Sequence, residues 1–280
     1  MGTMAKSKTL QPLDQFPADA RKAIRGVLTD IDDTLTTDGR LTAEAYSAMQ
    51  ALQRANFLVI PITGRPAGWC DHIARMWPVD AVVGENGAFY FHYDRTACRM
   101  TRRFDQSAEE RAENRTRLAA IRDQILSAVP GAAVASDQPY RETDLAIDFC
   151  EDVPALPIDA VDRIVSVFEA AGATAKISSI HVNGWFGNFD KLTMARRLMA
   201  EIFDTDLDRD QAQFVFTGDA PNDAPMFGFF DHAVGVANVM DFRERLAAEP
   251  AFITGARGGA GFAELATALL EQPRNCHHRQ

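Results

Sequence analysis

The sequence predicts an α/β protein in which helices cover a parallel β-sheet and a smaller α+β domain is inserted into it. Apolar strands and amphipathic helices alternate from about residue 24 to 91, a rhythm typical of parallel sheets. The same alternation resumes from about residue 188 to 271. The segment between them has a long charged helix and alternating strands instead. We therefore predict a first core segment over 1–92, an inserted domain over 93–186 and a second core segment over 187–280.

The first core segment begins with a short apolar strand over Ile24–Asp30 that ends in acidic residues. A helix is predicted over Thr42–Ala55, because Thr42 can cap it and apolar residues recur on one face. The other elements predicted here are strands over Phe57–Ile62 and Ala81–Val83 and a helix over Ala67–Trp77.

The second core segment opens with a helix that Asp190 can cap. The apolar face of this helix consists of Leu192, Ala195, Leu198 and Ile202. The later core elements are predicted as strands over Gln213–Thr217 and Ala233–Val236 and helices over Asn222–Phe230 and Gly261–Glu271. The elements predicted for the insert are helices over Ser107–Val129 and Ile158–Ala171 and strands over Asp144–Phe149 and Ala173–Val182.

The composition is that of an ordinary globular protein with an acidic charge. Apolar residues make up 46% and charged residues 24% of the chain, and the net charge of −10 disfavours generic nucleic-acid binding. There is no run of eighteen apolar residues that would predict a membrane span, and no apolar signal core in residues 1–17. Since the cysteines are scattered and form no CxxC pair, we expect a cytoplasmic protein without a disulfide framework or zinc cluster. The cysteines are Cys70, Cys98, Cys150 and Cys276.

Three carboxylates directly follow the first predicted strand, in Asp30-Ile31-Asp32-Asp33. Ligands of open parallel sheets bind at the carboxyl ends of the strands, so Asp30 and Asp32 are expected to project into the ligand crevice. Neighbouring carboxylates repel each other unless a cation or a shared proton intervenes, and oxygen ligands suit Mg²⁺. Taken alone, the string is equally compatible with a solvated acidic turn.

Three further strings place suitable residues at strand or helix ends. Thr63 and Gly64 follow the second strand, where a hydroxyl and backbone N–H groups can hold phosphate oxygens. Lys191 lies in the first turn of a helix, where a cation is unfavourable unless an anion is bound. Asp219, in Gly218-Asp219-Ala220-Pro221-Asn222-Asp223, follows a later strand and could complete the cation site. Taken singly, each string also has a simpler explanation. Thr63 and Gly64 could form an ordinary helix cap, Lys191 could be a surface lysine, and Gly218 to Asp223 could be a helix-capping turn.

Together and in this order, the four strings resemble the motifs of the haloacid dehalogenase (HAD) superfamily of phosphatases. The insert falls between the second and third motifs, where the resemblance implies a C2-type cap on a Rossmannoid core. Gly84-Glu85-Asn86-Gly87-Ala88, just before the insert, is similar to the C2B subgroup. That subgroup, subfamily IIB, includes enzymes of the Cof-like, sucrose-phosphatase-like and mannosyl-3-phosphoglycerate-phosphatase-like types.

The resemblance implies a Mg²⁺-dependent phosphomonoester hydrolase that acts on a small phosphorylated sugar or sugar acid. Asp30 would attack phosphorus and form an aspartyl-phosphate, and Asp32 would protonate the leaving alcohol. The residues implied for the metal site are Asp30, Asp32 and Asp219. Asn222 and Asp223 would orient the water ligands of the metal without binding it directly. The residues implied for phosphate binding are Thr63, Gly64 and Lys191, and Lys191 would also stabilise the transferring group.

Weaker candidates for substrate contact are Arg65, Asn86, His181, Asn183 and Trp185. Trp185 could stack on a sugar ring or pack between the two domains. Arg65 could form an ion pair inside the core or reach the phosphate. Arg102 or Arg103 could hold a second anionic group, although a solvated face with ion pairs explains this basic run more simply.

Three other functions remain open at this point. A phosphomutase-type phosphotransferase would pass the phosphoryl group to a sugar instead of water, and a non-catalytic sensor would only bind a sugar phosphate. A phosphoacceptor signalling domain is the third, but the large insert and Asp32 argue against it. The expected partner is a small phosphorylated molecule, with no nucleic acid and no membrane. The sequence contains neither a GxxxxGK[ST] loop nor a GxGxxG after a strand, the marks of nucleotide-binding folds.

Overall fold

The computed structural model describes residues 10–271, in which strands and helices alternate around a parallel core sheet. In chain order the strands are β1 (Gln11–Pro12), β2 (Gly26–Thr29), β3 (Thr36–Thr37), β4 (Arg40–Leu41), β5 (Leu58–Pro61), β6 (Val82–Gly84), β7 (Phe89–Asp94), β8 (Arg99–Phe104), β9 (Ala133–Val134), β10 (Leu145–Asp148), β11 (Thr174–Ile177), β12 (His181–Trp185), β13 (Phe214–Gly218), β14 (Val234–Gly235) and β15 (Phe252–Ile253). The α-helices are α1 (Ala18–Ala23), α2 (Ala43–Arg54), α3 (Ala67–Met76), α4 (Ala108–Ala128), α5 (Ile158–Ala170), α6 (Lys191–Phe203), α7 (Leu207–Asp210), α8 (Ala224–Phe229) and α9 (Gly258–Leu270).

The core sheet consists of six parallel strands in the order β1-β15-β14-β13-β2-β5. Helices cover both of its faces. On β2, Val27 packs into a first apolar cluster with residues of α2, α3 and α9. The next residue, Leu28, packs into a second cluster with residues of α6 and α8. Strands that are buried on both faces are apolar throughout their length, which explains the continuous apolar runs in the sequence.

The insert contains a four-stranded antiparallel sheet in the order β11-β12-β10-β9. Helices α4 and α5 pack on it and form a third apolar cluster that includes Leu118, Ile164 and Phe168. A Cβ added to Gly184 of β12 would lie only 2.1 Å from the Phe168 ring. The close approach of strand and helix therefore requires glycine at this position.

Strands β7 and β8 form an antiparallel hairpin that extends β6. Residues 93–104 are predicted from the sequence to belong to the insert, but Met100 and Phe104 of β8 pack against the first apolar cluster. We therefore propose that the insert begins after Phe104, and its end near residue 186 stays a prediction. The single strand predicted over Ala173–Val182 is instead the hairpin of β11 and β12.

The predicted fold class is confirmed: a parallel sheet flanked by helices carries an additional antiparallel sheet. The two predicted N-terminal helix caps are also present in the structure. The Thr42 hydroxyl accepts a hydrogen bond from the Ala45 N–H at 3.2 Å, and the Asp190 carboxylate accepts one from the Thr193 N–H at 2.7 Å. These caps satisfy backbone donors that the first helical turn leaves unpaired.

Two expectations from composition can be compared with the described residues. None of the helices within residues 10–271 is both long and apolar enough to cross a bilayer. Cys70, Cys98 and Cys150 are free thiols, and Cys276 lies outside the described residues.

Candidate active site

The register of the core sheet brings three of the predicted strand ends together. The Asp30 N–H donates to the Thr217 carbonyl at 2.8 Å, and the Ile62 N–H donates to the Thr29 carbonyl at 2.7 Å. Strands β13, β2 and β5 therefore end side by side. As a result, Asp219, Asp30 and Thr63, which follow these strands, lie at the same edge of the sheet.

Lys191, the first residue of α6, binds two carboxylates of this edge. Its Nζ lies 2.7 Å from Asp30 Oδ1 and 2.7 Å from Asp223 Oδ1, and its side chain is only 3% exposed. Burial lowers the pKa of Lys191, but the charges of Asp223 and Asp30 outweigh this effect and raise the pKa above its ordinary value. Lys191 is therefore a fixed positive charge beside Asp30.

Asp30, Asp219 and Asp223 form a buried cluster whose nearest oxygens lie within 4.8 Å of one another. Both oxygens of Asp223 are engaged, Oδ1 by Lys191 and Oδ2 by the backbone N–H of Asp219. Burial raises the pKa of Asp30 to about 8, with Lys191 opposing the shift, and burial raises the pKa of Asp219 well above its ordinary value. A divalent cation between Asp30 and Asp219 would relieve this unfavourable clustering, so the donor set fits Mg²⁺.

Asn238 is a residue of this site that the sequence analysis missed. Its Nδ2 donates to Asp219 Oδ2 at 3.1 Å and to the Asp33 carbonyl at 2.9 Å, while the Thr34 hydroxyl donates to Asp219 Oδ1 at 3.0 Å. These two side chains fix the orientation of the Asp219 carboxylate. Asn238 follows β14, the neighbour of β13. A polar residue soon after a predicted core strand was the feature of the sequence that could have indicated a site residue here.

Asp33 occupies the left-handed backbone region, with φ of +54°. Its N–H donates to the Thr36 hydroxyl at 2.9 Å. Asparagine and aspartate tolerate this conformation better than most residues. Asp33 is therefore a turn residue that follows Asp30 and Asp32.

The loop after β5 places Thr63, Gly64 and Asn86 beside one another. The Thr63 hydroxyl accepts a hydrogen bond from the Arg65 N–H at 3.0 Å, and Asn86 Oδ1 accepts one from Asn222 Nδ2 at 3.3 Å. Within residues 10–271, Asn86 Nδ2 and Asn222 Oδ1 are buried without a hydrogen-bond partner. A donor and an acceptor thus remain available to a ligand at this loop.

Arg65 forms an ion pair inside the protein, the first of the two roles that its sequence context left open. Its Nε donates to Asp32 Oδ1 at 2.9 Å, and its Nη2 lies 2.7 Å from the same oxygen. The Trp69 ring covers the guanidinium, with 4.4 Å between Arg65 Cζ and the ring centroid. Arg65 therefore holds the Asp32 carboxylate in a defined orientation.

Carboxylates of the insert also bind Arg65 and so connect the insert to the core. Glu151 Oε1 lies 2.7 Å from Arg65 Nη2, and Asp137 Oδ2 lies 3.4 Å from Arg65 Nη1. Arg141 of the insert donates from Nη1 to the Gly64 carbonyl at 2.9 Å. The sequence analysis did not single out any of these three insert residues, because each acts through a partner more than sixty positions away.

Glu85 adds a second connection between core and insert. Its Oε1 accepts hydrogen bonds from the Ala67 N–H at 3.0 Å and from the Glu142 N–H at 2.9 Å. Its Oε2 accepts from both the N–H and the hydroxyl of Thr143. Buried backbone donors of both domains thus depend on one carboxylate.

A small cavity lies between the insert and the carboxyl end of the core sheet. It has a volume of about 10 Å³, which is room for roughly one water molecule. Its lining residues are Asp30, Asp32, Gly64, Arg65, Arg141, Ser178, Ile180, His181, Asn183 and Asn222. In this structure the insert therefore lies over the carboxyl end of the core sheet, and the space between them is smaller than a sugar phosphate.

Of the weaker candidates on β12, His181 and Asn183 line this cavity and Trp185 does not. Trp185 is 1% exposed and stacks on Phe189, with 5.5 Å between the ring centroids. It belongs to the first apolar cluster of the core. The interpretation of Trp185 as a platform for a sugar ring is therefore wrong, and its alternative role in packing at the domain junction is what the structure shows.

The basic run of β8 points away from the site. Arg102 pairs with Asp71 at 2.6 Å, and Arg103 lies 3.6 Å from Glu201. Both side chains are more than half exposed. These solvated ion pairs agree with the simpler of the two interpretations of Arg102 and Arg103.

The ion pair of Glu151 predicts a loss of stability in acid. Burial raises the pKa of Glu151, but His181 and Arg65 outweigh burial and lower it from 4.5 to about 2. A depressed pKa in the folded state stabilises the fold above the unfolded value and loses this contribution as pH falls. We expect Glu151→Gln to lower the melting temperature at pH 7, and the difference from wild type to shrink between pH 5 and pH 3. Thermal unfolding at several pH values measures it, and a constant difference down to pH 3 would contradict the assignment.

Comparison with known proteins finds a family model that matches the first part of the chain. A sequence model described as haloacid dehalogenase-like hydrolase matches residues 27–113, a stretch that includes Asp30, Asp32 and Thr63. This match supports the haloacid dehalogenase resemblance that the four motifs predict. No curated protein sequence matches the chain.

Several solved structures share this fold over nearly their whole length. A Thermoplasma acidophilum protein is 18% identical with a TM-score of 0.66, over 88% of this chain and 98% of its own. The sucrose-phosphatase from Synechocystis sp. PCC6803 is 14% identical with a TM-score of 0.60, over 88% and 98%. A HAD subclass IIB sugar phosphatase is 12% identical with a TM-score of 0.56, over 87% and 96%. At these identities the likeness establishes the fold alone, and it covers most of this chain.

Proposed function

We propose that this HAD protein is a Mg²⁺-dependent phosphatase that hydrolyses a small phosphorylated sugar or sugar acid through an aspartyl-phosphate. The observation that carries the proposal is the buried cluster of Asp30, Asp219 and Lys191 beneath a cavity that the insert closes. A nucleophilic carboxylate, a site for a divalent cation and a fixed cation are together sufficient for phosphoryl transfer, which depends mostly on positioning and electrostatics.

The metal ligands in this proposal are the carboxylates of Asp30 and Asp219 and the backbone carbonyl of Asp32. Asn238 and Thr34 orient Asp219, and Asp223 holds Lys191 in place. A Mg²⁺ ion held by these residues would reduce the repulsion between the anionic nucleophile and the anionic phosphoryl group.

In the first step Asp30 forms a bond to phosphorus while the bond from phosphorus to the substrate oxygen breaks. Asp32 gives a proton to that leaving oxygen. In the second step Asp32 takes a proton from water, whose oxygen attacks phosphorus and releases Asp30 and phosphate. Lys191 and the Thr63–Gly64 loop hold the phosphoryl oxygens, and Arg65 orients Asp32 through the two hydrogen bonds from its Nε.

The substrate class is supported by the insert and by the names of similar structures. His181 and Asn183 give the cavity polar groups that can bind hydroxyls, and two of the similar structures are sugar phosphatases by name. The cytoplasmic location predicted from the sequence stays a prediction.

The test is phosphate release from a panel of sugar phosphates, sugar-acid phosphates and p-nitrophenyl phosphate, with Mg²⁺ and with EDTA. We expect release that requires Mg²⁺ and needs no bisphosphate activator. Release that depends on a bisphosphate, with transfer to a second sugar, would replace hydrolysis by the phosphotransferase function. Binding of the same compounds with no release at all would favour a sensor.

A further inference from the structure

We propose that a groove of the core, between the β3–β4 hairpin and α3, holds the alcohol part of the substrate, and that Trp69 selects alcohols with a flat apolar face. An aromatic ring and the C–H side of a pyranose ring both have such a face, whereas an open-chain polyol does not. The inference rests on the proposed function, because it concerns the substrate of the same reaction. It narrows the substrate class by shape, and it assigns part of the specificity to the core.

The groove is large, and its walls belong to the core. Its volume is about 380 Å³, which is the size of a small-molecule site. The described residues that line it all lie between Ile31 and Trp77. Its shape therefore does not depend on where the insert lies, unlike the cavity of about 10 Å³ between the insert and the core sheet.

The groove adjoins the residue that is proposed to protonate the leaving oxygen. Asp32 and Arg65 line both the groove and the small cavity. Arg65 Nε donates to the two oxygens of Asp32 at 2.9 and 3.1 Å, and this contact also lies within the core. In the proposed reaction the leaving oxygen must come within hydrogen-bond distance of the Asp32 carboxylate. The carbon skeleton attached to that oxygen therefore begins beside the groove.

Apolar and aromatic side chains form much of the groove. Leu41 contributes from β4, and Trp69 and Trp77 contribute from α3 and the residue after it. Trp69 is 42% exposed, although the Arg65 guanidinium lies over its ring with 4.4 Å between Cζ and the ring centroid. The buried arginine holds the indole in place, and a ligand ring that covered the exposed part would remove apolar surface from water.

The experiment compares two matched pairs of phosphate esters, each with one ring-containing member and one open-chain member. The pairs are glucose 6-phosphate with sorbitol 6-phosphate, and benzyl phosphate with propyl phosphate. All four esters release a primary alcohol, so the leaving groups are similar. We expect kcat/KM of the wild type to be at least about tenfold higher for the ring-containing member of at least one pair. The pair with the larger ratio distinguishes a pyranose from an aromatic ring.

Variants of Trp69 test whether this side chain causes the preference. In Trp69→Ala the ratio is expected to fall to within about threefold of unity, whereas Trp69→Phe, which keeps a flat apolar ring, should retain most of it. The ratio is the decisive readout. If Trp69 served only to hold Arg65 against Asp32, its loss would lower kcat for both members of a pair equally and leave the ratio unchanged.

Met76→Ala is the matched control. It removes another large apolar side chain of α3, which is 64% exposed and does not line the groove. The ratio should be unchanged in this variant. A wild type with no preference in either pair, or a preference that Trp69→Ala leaves unchanged, would overturn the inference.

A binding measurement separates this inference from the proposed function. The same four esters are titrated into the Asp30→Asn variant with Mg²⁺, and the heat of binding is recorded with and without inorganic phosphate. The ring-containing member of at least one pair should bind more tightly, and phosphate should compete with it. If the wild type hydrolyses nothing but this binding pattern holds, the proposed function fails and the inference stands. Binding of the ring-containing esters that phosphate does not weaken would show that the groove is separate from the phosphoryl site, and would overturn the inference even where hydrolysis occurs.

Discussion

Replacing Asp30 by asparagine is expected to lower kcat for phosphate release by more than about 10⁴-fold. Asparagine has almost the same shape but lacks the charged oxygen that attacks phosphorus. The fold should tolerate the change, because burial already disfavours the charged form of Asp30 and Lys191 retains Asp223 as a partner. Without Mg²⁺, the melting temperature of Asp30→Asn should equal or exceed that of the wild type.

Asp33→Asn is the matched control for this variant. It makes the same chemical change three positions along the chain, at a turn residue with φ of +54° that asparagine also tolerates. We expect this control to keep more than about a tenth of the wild-type kcat. A substitution that leaves the reacting groups in place and perturbs the fold little should have only a small effect on kcat. If Asp30→Asn kept as much activity as the control, Asp30 would not be the nucleophile.

Much of the core part of the site could be predicted because its residues stand at the ends of regular elements. Asp30 and Asp219 directly follow buried strands, and Lys191 opens a helix that Asp190 caps. Such positions are visible in a local pattern of apolar and polar residues. Parallel pairing of β2 with β13 then brings the two acids together, which the strand pattern also implies.

The residues of the insert could not be predicted in this way, because their roles depend on partners far along the chain. Glu151 and Arg141 resemble any charged residue of a loop until the insert is placed over the Thr63–Gly64 loop. Alternation along β12 correctly puts His181 and Asn183 on one face. It also puts Trp185 on that face, but at the end of the strand Phe189 covers the indole. Periodicity predicts on which face of the strand a side chain lies, but it does not predict which residues pack against that side chain.

The hairpin of β7 and β8 was missed for a related reason. Its second strand carries Arg99, Arg102 and Arg103, so that no apolar residue alternates regularly along it. Pairing with β7, which continues in register from Phe89 to Asp94, decides the conformation of this segment. Tertiary pairing of this kind overrides weak local preference in strands.

Replacing Arg141 by methionine is expected to destabilise the protein by about 3–5 kcal/mol. The Arg141 side chain is 1% exposed and lies between Asp137 and Asp144. Methionine fills similar space without the charge, so two buried carboxylates would lose their main partner. The contact from Arg141 to the Gly64 carbonyl would also be lost, and the insert would be held less firmly over the core. Urea unfolding followed by circular dichroism measures the change in the free energy of unfolding.

Arg115→Met is the control for this prediction, because it removes an arginine of the same domain that is 65% exposed. Its effect should stay within about 0.5 kcal/mol. A second test also removes one of the carboxylates that Arg141→Met leaves without its arginine partner. Adding Asp144→Asn to Arg141→Met should restore part of the lost stability, because substitutions within one ion-pair network do not have additive effects on the free energy of unfolding. If Arg141→Met were as mild as Arg115→Met, the buried charges of the insert would be stabilised by something other than Arg141. Recovery in the double variant would instead show that Arg141 is needed because Asp144 is buried and charged.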